Sequence, residues 1–203
     1  LLDTDLWLRL LLLASVLTGA AALDWRRHRA AATRWHEYGF LIGTGFVGGM
    51  LGVAVDYVTA SLSPVYFTLG KGIAEGPTFR GQVTLLGLHA GLLAGLMVGG
   101  CLLLANQPRS GRPTLPYRQL IRLNLIIVLA ALGMAPVCAV LAVSRDPLGF
   151  RAEFESLLSE SQITRFGEVW GAHLGLYLGG ALGAVYSVAT IRQLRRSVAA
   201  ERP

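Results

Sequence analysis

Three ionisable side chains lie where a polypeptide rarely keeps them. Asp56 sits near the end of an apolar block, and His89 and His173 sit inside two others. A carboxylate in hydrocarbon costs at least about 2.5–3.5 kcal/mol on insertion scales, so such a group faces a bundle interior or water. Counted at about 1.5 Å per residue, both histidines fall roughly 6 to 10 Å inside the same boundary as Asp56. The three residues are therefore expected to form a polar intramembrane site in the outer third of the bilayer. Two symmetric histidines are also a familiar axial pair for a b-type haem, with His89 and His173 as the metal ligands. Otherwise no cofactor is expected, and each histidine hydrogen-bonds to a neighbouring carbonyl. The reading without a cofactor or other metal is preferred.

The elements that position these residues follow from composition. Of the 203 residues, 53% are hydrophobic and only 15% are charged. A soluble domain carries about 25% charged residues. The apolar residues fall in blocks of roughly 20, enough to cross about 30 Å of hydrocarbon. The fold class is all-α, a polytopic transmembrane helical bundle of five spans. They are expected at 6–23, 38–60, 82–105, 123–143 and 168–190.

The net charge of +6 resolves by side. Segments 24–37, 106–122 and 191–203 hold twelve arginines against three acids, a balance of +9. The N-terminus with loops 61–81 and 144–168 has a balance of −2, and Asp56 supplies the last negative charge. Arginine-rich segments stay in the cytoplasm. The N-terminus is expected outside and the C-terminus in the cytoplasm, in a membrane of bacterial inner-membrane type. Nucleic acid is excluded as a partner, because basic patches that bind it need an exposed soluble surface.

Residues 1–23 form an anchor helix. Arg9, Leu10 to Leu13 and Ala20 to Ala22 also resemble a secretory signal. Cleavage there would strand the next arginines outside, so a retained anchor is the expectation. Residues 24–37 are expected as a short basic interfacial helix, with Trp25, Trp35 and Tyr38 at headgroup level.

The most specific pattern is a repeat with an offset of 84 residues. Gly87, Gly91, Gly95 and Gly99 recur as Gly171, Gly175, Gly179 and Gly183, and His89 recurs as His173. Upstream, Gly49-Met50 matches Gly133-Met134. This predicts two same-orientation helical hairpins, 38–105 (helices two and three) and 123–190 (helices four and five). They are joined by a basic loop at 106–122 and followed by a basic tail at 191–203. Glycines four apart share a helix face and let another backbone approach. Gly45, Gly48, Gly49 and Gly52 supply the matching face of helix two, and Asp56 continues it. Asp56 is not duplicated, since Val140 stands 84 residues on.

The outer loops carry Ser63-Pro64-Val65-Tyr66-Phe67 and Asp146-Pro147-Leu148-Gly149-Phe150, whose aromatic residues suggest an interface belt or a re-entrant cap. A short amphipathic helix is expected over Glu153 to Ser161. Cys101 and Cys138 should lie too far apart in depth to bridge.

The chain has no His-Glu-x-x-His pattern, no Gly-x-Ser-x-Gly elbow and no Walker loop. These absences favour a non-enzymatic membrane protein, either a small translocation unit or a subunit of a larger complex. Its partners would be the lipid bilayer and either further copies of itself or other membrane subunits. A haem cytochrome and a purely structural scaffold are the alternatives.

Overall fold

The computed structural model describes residues 4–29, 32–108, 113–146 and 149–200. Among them the chain is helical and contains no strand. Seven helices follow in order: α1 (Thr4–His28), α2 (Arg34–Leu62), α3 (Pro64–Thr68), α4 (Phe79–Asn106), α5 (Tyr117–Arg145), α6 (Phe150–Phe154) and α7 (Glu160–Ala200). Four of them, α2, α4, α5 and α7, are long and apolar enough to cross a membrane. Helices suit that setting because every backbone N–H and C=O is satisfied within the segment. The expected first span falls in α1, where several side chains lie outside the described residues, as do Arg109, Arg112 and Pro147-Leu148.

Two compact units divide the chain, 1–43 and 44–203. In the first, the expected separate helix at 24–37 is absent. Instead α1 runs on through Asp24 to His28, and the chain turns before α2 begins at Arg34. The Asp24 carboxylate explains the turn. It accepts the backbone N–H groups of Thr33 (3.0 Å) and Arg34 (3.1 Å), which the start of α2 leaves without intrahelical acceptors. His28 adds a side-chain contact at 2.8 Å.

In the second unit the glycine ridges decide the packing. A Cβ placed on Gly48 or Gly52 of α2 would strike the backbone of Gly91 or Gly87 of α4, and one on Gly95 would strike Thr44 and Gly45. The α5–α7 seam has the same construction. Gly171, Gly175 and Gly179 of α7 lie against the backbone at Cys138, Met134 and Ala130, and Gly183 against Ile127. Gly99 is buried in α4. Gly45 and Gly49 instead receive the side chains of Leu96 and Leu88.

One sequence correspondence is displaced. In α4 and α7 the matching glycines are 84 residues apart, but their partners in α2 and α5 are 86 apart: Gly52 answers to Cys138, and Asp56 to Ala142. The short loop helices α3 and α6 keep the same 86-residue spacing. The segment joining α6 to the α7 ridge is therefore two residues shorter than its counterpart. Two residues are about 200° of helix turn, which takes Gly133 off the seam. No atom beyond its own surroundings lies within 4 Å of a Cβ built there.

Both loops fold inward. Ser63 accepts the Tyr66 N–H at the start of α3 (3.3 Å), and Asp146 accepts the N–H groups of Phe150 (2.8 Å) and Arg151 (3.2 Å) at the start of α6. Glu153 to Ser161 do not form one helix: α6 ends at Phe154 and α7 begins at Glu160. Tyr66, Phe67, Phe150 and Phe166 are buried together with Val83, Ile163 and Val169, forming an aromatic cap over one end of the bundle.

At the other end the α4–α5 connection is tied down. The Asn106 side chain pairs with both backbone groups of Leu115, donating at 3.0 Å and accepting at 2.8 Å. The Arg195 guanidinium donates to the carbonyls of Ala105 (2.6 Å), Gln107 (2.6 Å) and Pro113 (2.9 Å). Leu93, Met97 and Leu104 on α4, with Leu129, Val140, Leu182 and Val185 on α5 and α7, face outward. Cys101 is exposed and Cys138 buried, both as free thiols.

Candidate functional site

Asp56 extends the glycine face of α2 by one turn, so its side chain enters the bundle beside Gly87 of α4. A Cβ on Gly87 would lie 3.0 Å from the Asp56 Cβ. His173, one turn before the middle of the α7 ridge, meets it there. Nε2 of His173 stands 2.9 Å from Oδ1 of Asp56, and the two residues are 8% and 7% exposed, respectively.

The second ring nitrogen fixes where the protons are. Nδ1 of His173 is 2.8 Å from the Val169 carbonyl oxygen, an atom that can only accept. Nδ1 therefore carries a proton. The Nε2–Oδ1 hydrogen bond needs another, held by either the imidazole or the carboxyl group. In both arrangements the pair carries one proton beyond an ionised aspartate and a neutral histidine. It is then neutral overall, which is the form a low-dielectric surround tolerates.

Aromatic side chains shut the pair off at the capped end. The Tyr66 ring stacks on the imidazole at 5.0 Å with planes 20° apart, and Phe67, fully buried, meets it edge-on at 6.1 Å. Burial raises the Tyr66 phenol above its ordinary ionisation range, with the negative fields of Tyr177 and Asp56 adding to the effect. Lys71 places its ammonium 5.4 Å from the centre of the same Tyr66 ring. On the remaining side Asp56 and His173 border a cavity of about 260 Å³ between the two hairpins.

Of the three residues expected to meet, two do. His89 is half-buried on α4, borders neither this cavity nor the pair, and makes no hydrogen bond or ring contact within the described residues. It lies two residues from Gly87 and Gly91, on the side of α4 turned away from the ridge. The α4 and α7 ridges face α2 and α5, and the hydrogen-bonding partner of His173 on α2 is Asp56. Sequence reasoning overlooked Tyr66 and Lys71 as neighbours of the site; the only signal for them was the aromatic loop beside Gly-Lys-Gly. It also overlooked Arg195, whose position among other C-terminal arginines gave no sign of its burial. Among the described residues, no cluster of three metal-ligating side chains exists.

The described residues thus define an all-helical chain with four helices able to cross a membrane and a buried carboxyl–imidazole pair between them. Compared with protein-family models, with curated proteins and with solved structures, the chain matches none.

Proposed function

We propose that this chain is an integral membrane protein whose working element is the proton held between Asp56 and His173. It would serve as a small translocation unit or as the proton-holding subunit of a larger membrane complex. The observation that carries this reading is the double engagement of His173. With Nδ1 donating to Val169, the Asp56 contact cannot exist without a further proton. A buried, isolated proton carrier of this kind is a recurrent component of membrane relays.

With five spans, the N-terminus outside and the basic segments in the cytoplasm, the pair would lie in the outer third of the bilayer. Charge asymmetry supports that orientation. Duplication of a hairpin is supported by the two glycine seams, and the presence of one acid rather than two gives the bundle a single site. A bis-histidine haem draws no support here, because both ring nitrogens of His173 are engaged and His89 is elsewhere.

The test uses the full chain in liposomes under an imposed pH gradient, with infrared spectroscopy of the Asp56 carboxyl group. Asp56→Asn and His173→Gln are expected to lower proton flux at least about tenfold, and His89→Ala to leave it unchanged. Equal flux in all three variants, with an Asp56 carboxyl band indifferent to His173→Gln, would reduce the pair to a structural contact.

A further inference from the structure

We propose that the cavity between the hairpins binds one molecule of a single-chain aliphatic alcohol, a lipid with one tail and an uncharged hydroxyl head held at Asp56. The inference rests on the proton-sharing reading of the pair and adds the ligand class. The cavity follows α2 from Thr44 to Asp56, a run of roughly 18 Å at the helical rise. An extended hydrocarbon tail can lie along such an apolar run.

The wall chemistry has the same polarity as such a lipid. Val47, Leu51, Val55, Leu86 and Val128 line its length. The uncharged groups Thr44 and Asn124 stand towards the far end. The ionisable lining groups, Asp56, His173, Lys71 and Tyr177, come from the α3 side of the bundle.

The shared proton then selects the head. It lies on the line between Oδ1 and Nε2 in both of its forms, so Oδ2 of Asp56 is an acceptor in both. Oδ2 has no hydrogen-bond partner among the described residues, although Asp56 is more than nine-tenths buried. A ligand head must therefore donate. A carboxylate head would bring an acceptor and a negative charge against Oδ2. An ammonium head donates, but brings its charge into a site that already contains Lys71. A hydroxyl donates to Oδ2 and adds no charge.

The experiment exposes the full chain in phosphatidylcholine nanodiscs to 1-tetradecanol, tetradecanoate or tetradecyltrimethylammonium at equal concentration. Retained ligand is counted by native mass spectrometry. One tetradecanol per chain is expected, in at least about tenfold preference over either charged amphiphile. Ala94→Phe, which fills the cavity from α4, is expected to remove it, with circular dichroism checking that the helices persist. Equal retention of either charged amphiphile overturns the head assignment. Retention unaffected by Ala94→Phe overturns the cavity, as does a second helix-bearing copy bound in place of the alcohol. The carboxyl band of the ligand-free chain is read separately. Failure of proton sharing is thereby distinguished from failure of alcohol binding.

Discussion

Gly175→Ala, set against Gly133→Ala, tests the packing of α5 against α7. A Cβ at position 175 would lie 2.7 Å from the Ala135 Cα and closer still to the Met134 carbonyl oxygen. Carbon atoms settle at about 3.5–4.0 Å, so α5 and α7 must part by about 1 Å around this point. A gap of that size forfeits a quarter to a half of each contact's 0.1–0.2 kcal/mol. Over some forty atom pairs along the seam this loss is about 2 kcal/mol. Alanine's better helix propensity returns about 1 kcal/mol, leaving a net destabilisation of about 1 kcal/mol or more. At Gly133 the added methyl meets nothing within 4 Å, so only the propensity gain remains. The measurement is the unfolding equilibrium of the full chain in mixed micelles, followed by circular dichroism. The two variants are expected to move the midpoint in opposite directions. A Gly175→Ala protein as stable as Gly133→Ala would refute the backbone-to-backbone seam.

Two further outcomes follow from the polar contacts. Arg195→Ala removes three charge-assisted hydrogen bonds to carbonyls and is expected to cost about 3 kcal/mol in the same unfolding assay. Arg195→Lys should recover less than half, since one ammonium cannot span the three acceptors. The Asp24 carboxyl group is held below the usual carboxylate range, first by the Arg34 N–H and then by His28 and Thr33. Its contribution is therefore complete above the unfolded value of about 3.9 and is lost as pH falls through the lower folded value. Amide exchange at Thr33 and Arg34, measured down that range, should accelerate in the native chain relative to Asp24→Asn, which lacks the titration.

Much of this architecture was legible in the amino-acid order, because its causes are local. Apolar length sets the helices, and glycines four apart mark the faces that meet. Asp56 could be placed on such a face from its spacing to Gly52. What the sequence concealed depends on how distant segments dock. Asp56 and His173 are 117 residues apart, and the same local motif surrounds His89, which has no such partner. Their difference originates in the other helix of each hairpin, where Asp56 is answered by Ala142. The Gly133-Met134 correspondence misled because two residues are absent from a loop, a change invisible to an ungapped comparison. Arg195 resembled a topology signal, since nothing in its neighbours specifies three carbonyls from segments about 80 to 90 residues away.

The glycine seams have an entropic consequence. Glycine and alanine lose no rotamers on burial, whereas leucine, methionine and arginine each give up a substantial part of their freedom. The closest contacts of both hairpins are made largely by backbone, glycine and alanine. The long side chains, Leu93, Met97, Leu129 and Leu182 among them, remain on the outer surface. At these contacts the helices close without ordering long side chains, while the outward leucines and methionine keep their torsional freedom.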